Sequence, residues 1–332
     1  MSALLEIKDL EIQYFTGDGV AKAVSGISFY VEAGETLGLV GETGSGKTTT
    51  ALGIMRLLPD PPGKIVNGRI LFRGEDLAGK TEKEMNAIRG NQISMIFQDP
   101  MTALNPLMSV EEQIEEAIVQ HTKLRGAQAR RKALEMLETV GISASRGEEF
   151  PHQFSGGMKQ RVVIAIALAC SPALILADEP TTALDVTIQA QVLDLMNRLK
   201  KELGTGTILI THDLGVVAET CDRVAVMYAG EIVETGNMQD IYEATGHPYT
   251  QGLFGSIPSL EDDVDMLSPI PGFMPDPKAL PTGCKFHPRC PWAEEECARI
   301  NPPVYEIRPG HLVKCLRYRP DAPIAQRRTE DG

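Results

Sequence analysis

The chemistry of this chain begins in a glycine-rich stretch that fits the P-loop pattern, Gly41-Glu42-Thr43-Gly44-Ser45-Gly46-Lys47-Thr48. It follows an apolar run, Thr36 to Val40, and precedes a segment with a helical pattern, Thr48 to Leu58. Glycines let successive backbone N–H groups turn toward a phosphate, and the start of a helix adds positive charge. Lys47 would then reach the β and γ oxygens of ATP, and Thr48 would ligate Mg²⁺. The predicted nucleotide site also includes Thr49.

Two adjacent carboxylates, Asp178 and Glu179, follow the apolar run Leu174 to Ala177. A nucleotide enzyme with strands of this kind places its magnesium partner at such a strand end, and Asp178 would contact Mg²⁺ through water. Glu179 would polarise the attacking water as a general base. Taken alone, an Asp-Glu pair after a strand is more often a solvated turn. Its occurrence together with the glycine-rich stretch favours ATP hydrolysis.

A third motif, Phe154-Ser155-Gly156-Gly157-Met158-Lys159-Gln160-Arg161, resembles the signature motif of ABC ATPases. Because Ser155, Gly156 and Gly157 precede a long helical pattern, their hydroxyl and backbone amides would form a second anion site. The resemblance implies a head-to-tail dimer in which each ATP lies between the P-loop of one subunit and the signature of the other. Phe154 and Met158 replace the commoner Leu and Gln, but the phosphate-contacting positions are kept.

Other elements of the same family match in order over about residues 4 to 245. Gln98 resembles the Q-loop, Thr182 to Asp185 the D-loop, His212 the switch histidine and Tyr14 the aromatic residue that stacks on adenine. The resemblance implies that Gln98 contacts the metal and relays to a membrane partner, that Asp185 acts across the dimer and that His212 touches the γ-phosphate. A lone Tyr is usually a core residue and a lone His a capping residue. The ordered co-occurrence of the motifs favours the functional interpretation.

The elements that must position these residues follow an alternating order of strands and helices, which predicts an α/β fold with a mainly parallel sheet. Period-two alternation in Leu4 to Tyr14 and Gly26 to Val31 predicts a small antiparallel sheet. The segment from Met108 to Leu137 predicts an inserted helical subdomain, within about residues 100–165. The expected fold class is therefore a P-loop NTPase of the ABC ATPase type, with the buried strands predicted at Thr36 to Val40, Ile93 to Phe97, Ala173 to Ala177, Thr207 to Ile210 and Arg223 to Val226.

The composition changes after about residue 255, where more than half of the chain's 22 prolines fall between Pro258 and Pro323. We therefore expect an ATPase domain over residues 1–255 and a separate Cys-rich module over residues 256–332. That module holds four cysteines, Cys284, Cys290, Cys297 and Cys315. Their wide spacing and the Cys-Pro pair favour a [4Fe-4S] cluster over zinc, whose four-cysteine sites usually contain tighter pairs.

Two alternatives to the cluster stay open for the four cysteines. Zinc could use His287 or His311 as replacement ligands, or the thiols could be free and structural. Cys170 and Cys221 are predicted to be ordinary core residues. Disulfides are disfavoured because the chain is expected in a reducing compartment.

The segment His247-Pro-Tyr-Thr250 and the tail that follows it resemble the C-terminal extension of dipeptide and oligopeptide importer ATPases, as does the Phe-Ser-Gly-Gly-Met form of the signature. This resemblance covers the full chain. It implies two membrane permeases, a second and similar ATPase subunit, and an extracytoplasmic peptide-binding protein. The ATPase pair would be a heterodimer, or a homodimer when the subunit is isolated.

Bulk properties are those of an ordinary globular protein, with 42% hydrophobic and 23% charged residues. The longest apolar run, Val162 to Cys170, is far shorter than the roughly 20 residues that a membrane-spanning helix requires, so we expect a buried helix and a peripheral location on the cytoplasmic face of the cell membrane. A net charge of −13 disfavours nucleic acid as a partner.

The alternative function is a soluble ABC ATPase acting on nucleic acid or ribosomes. The tail could also be a redox-sensing module that regulates the ATPase.

Overall fold

The computed structural model describes residues 3–182, 184–255 and 270–320. The chain divides into two compact units. The first, here called the helical unit, consists of Met1–Leu4, Val31–Thr36 and Asp76–Ile210. The second, here called the P-loop unit, consists of Leu5–Tyr30, Leu37–Glu75 and Thr211–Gly332.

The strands of the described residues are β1 Leu5–Thr16, β2 Gly19–Val31, β3 Thr36–Val40, β4 Gly63–Phe72, β5 Glu75–Asp76, β6 Ile93–Ile96, β7 Leu174–Asp178, β8 Gly206–Thr211, β9 Arg223–Tyr228, β10 Glu231–Asn237, β11 Tyr305–Arg308 and β12 His311–Val313. The α-helices are α1 Lys47–Met55, α2 Glu82–Ile88, α3 Pro100–Ala103, α4 Val110–His121, α5 Ala127–Thr139, α6 Gly156–Leu168, α7 Val186–Leu203, α8 Leu214–Thr220, α9 Met238–Glu243 and α10 Pro248–Phe254. Short 3-10 helices lie at Ala144–Arg146, Pro151–Gln153, His287–Arg289, Glu295–Ala298 and Leu316–Tyr318.

A small sheet in the order β2-β1-β4-β5 opens the chain. β1 and β4 pair antiparallel, from Leu5 opposite Phe72 to Tyr14 opposite Gly63. Apolar side chains of β1, including Leu5 and Ile7, are fully buried while polar neighbours such as Lys8 are exposed. One face of this sheet is therefore packed and the other is more polar. The predicted antiparallel sheet is confirmed.

The remaining strands of the P-loop unit follow the order β11-β12-β10-β9-β3. β3 runs parallel to β9, with Leu37 opposite Arg223. β9, β10, β12 and β11 then pair antiparallel, each with the next. All five residues of β3 are buried, as expected for a central parallel strand that leads into a functional loop. The predicted bounds of β3 agree with the structure.

The C-terminal segment is part of the P-loop unit, so the expectation of a separate Cys-rich module is wrong. β12 adds to the edge of β10, with Val313 opposite Glu234. Side chains of the same segment, including Phe286, Val313 and Leu316, are buried. High proline content and the loss of long periodic segments suggested a boundary. Two short strands and a few buried side chains are enough to attach such a segment to a sheet edge, and they leave little periodic signal in the sequence.

The helical unit contains the parallel strands β8, β7 and β6, in that order. The predicted strands of this region are confirmed with bounds that differ by one or two residues. The strand-free insertion is also confirmed, because α4 and α5 occupy it and pack against each other and against α6. The apolar run from Val162 forms the C-terminal half of α6 and is largely buried. Along the described part of the chain, no helix is long and apolar enough to cross a membrane.

Candidate functional site

The P-loop connects the end of β3 to α1, and its glycines are required by its geometry. Gly41, Gly44 and Gly46 have φ angles of 147°, 83° and 107°, a region that disfavours other residues. A Cβ atom at Gly41 would lie 2.2 Å from the carbonyl oxygen of Met227, and one at Gly46 would lie 2.4 Å from that of Ala23. The loop is therefore pressed against neighbouring backbone and tolerates no side chain at either glycine.

Lys47 is the first residue of α1 and its side chain is buried beneath the loop. Its ammonium group donates hydrogen bonds to the carbonyl oxygens of Gly41, at 2.7 Å, and Glu42, at 3.0 Å. The N-cap of α1 is Gly46, which has no side chain to cap the helix, and no acidic residue lies in the first turn. An anionic phosphate is the group that complements such a helix start and its lysine.

Glu179 follows β7 in the helical unit, where it adopts a φ of 45°. Its carboxylate oxygen Oε2 accepts hydrogen bonds from Gln98 Nε2, at 2.8 Å, and from the hydroxyl of Thr182, at 2.9 Å. A left-handed backbone at a non-glycine residue is strained, and such strain concentrates at functional sites. The structure thus brings the predicted base and the predicted Q-loop residue together. It adds Thr182, which sequence reasoning had placed only in the D-loop.

Asp178 is the last residue of β7 and is buried, with 3% of its surface exposed. Carboxylate and hydroxyl oxygens are the ligands that Mg²⁺ prefers, and the ion usually keeps several waters. The oxygen chemistry of Asp178 and Thr48 fits that preference, while Gln98 offers an amide oxygen. The described side chains therefore include the donor types that a magnesium–ATP complex requires.

The signature motif lies at the start of α6 in the helical unit. Ser155 is the N-cap, and its hydroxyl accepts from the backbone N–H of Met158 at 3.4 Å. A Cβ atom at Gly157 would lie 2.4 Å from Cγ2 of Ile188, so the first turns of α6 and α7 approach closely. Asp185 caps α7 by accepting from the N–H of Ile188 at 3.0 Å. Ser155, Gly156 and Asp185 are all exposed, as a surface that meets a partner must be.

Tyr14 and His212 both belong to the P-loop unit. Tyr14 is half-buried near the end of β1, where its ring lies against Gly63. His212 is exposed directly after β8, next to Asp213, which caps α8. Their predicted contacts with adenine and with the γ-phosphate stay predictions.

The four C-terminal cysteines come close enough to influence one another. The pKa of the Cys290 thiol is raised to about 11 and that of Cys315 to about 12, chiefly by burial and in smaller part by the nearby Cys284. Nevertheless, among the described residues no group of three or more His, Cys, Asp or Glu side chains is arranged to hold a metal ion. The predicted [4Fe-4S] site is therefore not supported by the geometry.

The two histidines considered as replacement zinc ligands are engaged elsewhere. His311 is fully buried, and its Nε2 lies 2.7 Å from a carboxylate oxygen of Glu234 on β10. His287 bonds through Nδ1 to the carbonyl oxygen of Cys284 at 2.9 Å. Of the two remaining cysteines, Cys221 is buried, whereas Cys170 is only half-buried and contacts the carbonyl oxygen of Ala117.

Comparison with known proteins agrees with the ABC ATPase motifs. Residues 24–182 match the family model described as ABC transporter, and residues 233–297 match the model for the oligopeptide/dipeptide transporter C-terminal region. The chain resembles the dimeric post-hydrolysis structure of the ATP-binding cassette MJ0796 bound to ADP and Pi, with a TM-score of 0.64 and 28% identity over 70% of this chain and 98% of that one.

Two curated relatives narrow the class. The oligopeptide transport ATP-binding protein OppD of Bacillus subtilis is 51% identical over 97% of this chain and 91% of its own length. OppD of Escherichia coli is 48% identical over 95% of this chain and 93% of its own. The chain belongs to the family of ATP-binding subunits of oligopeptide and dipeptide ABC transporters.

Proposed function

We infer that this chain is the ATP-binding and hydrolysing subunit that powers import of dipeptides or oligopeptides through an ABC transporter. This conclusion rests on the P-loop, whose glycines pack against neighbouring backbone and whose Lys47 is buried at the start of α1. Such a loop and helix start favour a bound anion. The identity of about half of all residues to OppD proteins, over nearly the whole chain, supplies the transport class. The same relatives give no support to a role on nucleic acid or ribosomes.

For nucleotide binding, we propose the roles that the motifs imply. The P-loop amides and Lys47 bind the β- and γ-phosphates, and Tyr14 stacks on adenine. Thr48, Asp178 and Gln98 hold Mg²⁺, directly or through water, and the ion neutralises phosphate charge when bound. The donor types of these side chains support the assignment. The predicted nucleotide-binding set is Tyr14, Gly41, Glu42, Thr43, Gly44, Ser45, Gly46, Lys47, Thr48, Thr49, Gln98, Ser155, Gly156, Gly157, Asp178 and Asp185.

For hydrolysis, we propose that Glu179 is the general base that accepts a proton from the attacking water. Its hydrogen bonds to Gln98 and Thr182 support the role because they hold the carboxylate in one orientation. His212 would contact the γ-phosphate. Gln98 would in addition couple nucleotide binding at the site to the membrane subunits.

The working assembly in this proposal is an ATP-bridged pair with a second, similar ATPase subunit. Ser155 and its glycines would contact the nucleotide held by the partner, and Asp185 would act across the same interface. Their exposure at the starts of α6 and α7 supports this. The pair would dock on two permeases at the cytoplasmic face of the membrane, while an extracytoplasmic protein delivers peptide. Residues 1–255 would form the ATPase proper, with a helical subdomain at about 100–165, and residues 256–332 the importer-type extension.

The decisive test of hydrolysis is Glu179→Gln, measured with the second ATPase subunit present. We expect ATP affinity close to wild type, a trapped ATP-bridged dimer in size-exclusion chromatography, and phosphate release about 10²–10⁴-fold slower. The matched control is Glu202→Gln, an exposed glutamate on α7, which should turn over normally. Wild-type phosphate release by Glu179→Gln would remove Glu179 from the role of base.

We also propose that Cys284, Cys290, Cys297 and Cys315 bind one metal centre, [4Fe-4S] or else zinc. Support comes from the closeness of the half-buried cysteines, since Cys284 contributes to the raised pKa of both Cys290 and Cys315. The described side chains do not form a metal-binding group, so the thiols would have to draw together, and no catalytic step is assigned to such a centre. Anaerobic purification with iron, sulfide and zinc analysis tests it, with Cys290→Ser against Cys170→Ser as control. Metal-free wild-type protein of full stability would eliminate the centre.

A further inference from the structure

Glu42, the second residue of the P-loop, is restrained at all of its polar groups. Its two carboxylate oxygens accept hydrogen bonds from the guanidinium of Arg289, at 2.7 and 3.0 Å. Its backbone N–H donates to the hydroxyl of Tyr249 at 2.8 Å, and its carbonyl oxygen accepts from Lys47 at 3.0 Å. Arg289 comes from the C-terminal segment, 247 residues further along the chain. The ordinary expectation for an acidic residue in a phosphate-binding loop is a solvated side chain, so this restraint calls for an explanation.

The side chain of Arg289 is also fixed by contacts with residues other than Glu42. Its side chain is buried, and its Nε donates to the carbonyl oxygen of Pro271 at 2.8 Å. The same guanidinium lies 3.4 Å from the hydroxyl of Tyr228 and from the carbonyl oxygen of Ile270. An arginine with several fixed donors presents a planar fork whose direction is set in advance. The pairing with Glu42 is therefore a geometric restraint as well as an electrostatic attraction.

Tyr249, the second support of Glu42, is fixed by an aromatic cluster. Its ring centroid lies 4.6 Å from that of Tyr228 and 5.4 Å from that of Phe286, which also belongs to the C-terminal segment. All three rings are fully buried or nearly so. Burial raises the pKa of Tyr249, so its hydroxyl stays neutral and continues to accept from the Glu42 amide. The side chain and the backbone of Glu42 are thus both held through residues that contact the C-terminal segment.

We propose that Arg289 is a positioning residue for the nucleotide site: by clamping Glu42 it fixes the P-loop conformation that binds ATP, so the C-terminal segment sets nucleotide affinity. The inference rests on the proposed ATPase function. A P-loop binds phosphate more tightly when its backbone amides already have the binding orientation in the free protein, because ordering the loop on binding costs affinity. If the clamp is removed, the loop populates other conformations and apparent affinity falls in proportion to the lost competent fraction.

The test compares Arg289→Gln, Arg289→Lys, Glu42→Gln and the double variant Glu42→Gln/Arg289→Gln in the full-length chain. Equilibrium titration with a fluorescent ATP analogue should show about tenfold weaker binding for Arg289→Gln, a typical size for a coupling between sites. Arg289→Lys, which keeps the charge but loses the fork, should fall between that variant and wild type. The KM for ATP should rise while kcat stays within about twofold, since Arg289 does not act on the reacting atoms.

The double variant separates positioning from general loss of structure. Because the two residues act through one contact, the double variant should bind ATP no more weakly than Arg289→Gln alone. The matched control is Arg299→Gln, which removes an exposed arginine of the same segment that pairs with Glu295 and should bind ATP like wild type. If Arg289→Gln does not fold, Arg289→Lys and Glu42→Gln decide the question.

Two results would overturn the inference: wild-type affinity in both Arg289→Lys and Glu42→Gln, or fully additive losses in the double variant. A wild-type chain that binds no ATP would instead defeat the proposed function. The two failures are therefore distinguishable in one titration series.

Discussion

At the scale of single residues, Gly46 bears two separate constraints. Its φ of 107° is costly for any residue with a side chain, by about 1–2 kcal/mol. In addition, a Cβ atom there would collide with a backbone oxygen, that of Ala23, which cannot rotate away as a flexible side chain could. The two constraints together fix both the backbone turn of the P-loop and its position against β2.

We therefore predict that Gly46→Ala lowers the free energy of unfolding by more than about 2 kcal/mol and abolishes measurable ATP binding. Urea titration and a nucleotide-binding titration would measure the two effects. Gly79→Ala serves as control, because a Cβ atom there meets nothing within 4 Å, and its effect should stay within about 0.5 kcal/mol. Wild-type nucleotide affinity in Gly46→Ala would show that the loop can move away from Ala23.

His247 makes the stability of the folded chain depend on pH. It is buried at the start of α10, where its Nδ1 accepts from the N–H of Tyr249 at 3.0 Å. Burial lowers its pKa to about 4; the charge of Glu234 opposes the shift and that of Lys314 adds to it. Between about pH 6.5 and 4 the unfolded chain therefore binds a proton that the folded chain does not, and stability falls as the pH falls through this window.

We predict that acidification from pH 7 to 4.5 costs the wild-type chain about 2–3 kcal/mol through this residue. His247→Asn keeps an acceptor at the cap without a titrating ring, so its unfolding free energy should vary less with pH. Urea titrations at several pH values measure the slopes. His152→Gln, at an exposed histidine, should keep the wild-type slope. Identical slopes for wild type and His247→Asn would refute the assignment.

Residues that act through local chain geometry could be predicted from the sequence, whereas residues that act through distant contacts could not. The cradle around Lys47 and the carboxylates after β7 depend on neighbours within a few positions, so their spacing reveals them. The clamp between Arg289 and Glu42 joins residues 247 positions apart and leaves no local pattern. The contact of Thr182 with Glu179 is local, because the two residues are three positions apart, but no motif in the sequence marks it.

At the scale of elements, the N-cap of α6 has two roles that can be separated. Ser155 satisfies a first-turn amide of α6, just as Ser109 does for α4. Replacing either N-cap by alanine costs about 1 kcal/mol of stability. Only Ser155 is proposed to meet the nucleotide of a partner subunit.

We predict that Ser155→Ala and Ser109→Ala lose similar stability in urea titration, and that only Ser155→Ala loses ATPase activity in the assembled pair. The rates should be measured with the second ATPase subunit present, since an isolated chain lacks the opposing P-loop. Equal activity of the two variants would show that Ser155 is only a helix cap.

Elements with strong apolar patterns were predicted with nearly correct bounds, as β3 and β7 show. β11 and β12 were missed because they are only four and three residues long and are surrounded by prolines. Such strands form because an existing edge, here β10, offers unpaired backbone groups to them. Their pairing is decided by the tertiary structure, which explains why the tail resembled a separate module.

At the scale of the whole molecule, the P-loop unit is built from both ends of the chain. The C-terminal segment supplies a strand to β10, a buried Phe286 to the aromatic cluster and Arg289 to the P-loop. A chain that ended at residue 255 would leave these partners exposed. Val313, with no exposed surface and opposite Glu234, is a central contact of this attachment.

We predict that fragments 1–255 and 270–332, co-expressed as separate chains with a tag on the larger one, purify together in equal amounts and bind ATP. Buried apolar area and backbone pairing hold such split proteins together without a covalent link. Val313→Asp in the smaller fragment places a charge where no water reaches, so co-purification should be lost. A larger fragment that is stable by itself, binds ATP with full affinity and retains none of its companion would show that the C-terminal segment is an accessory after all.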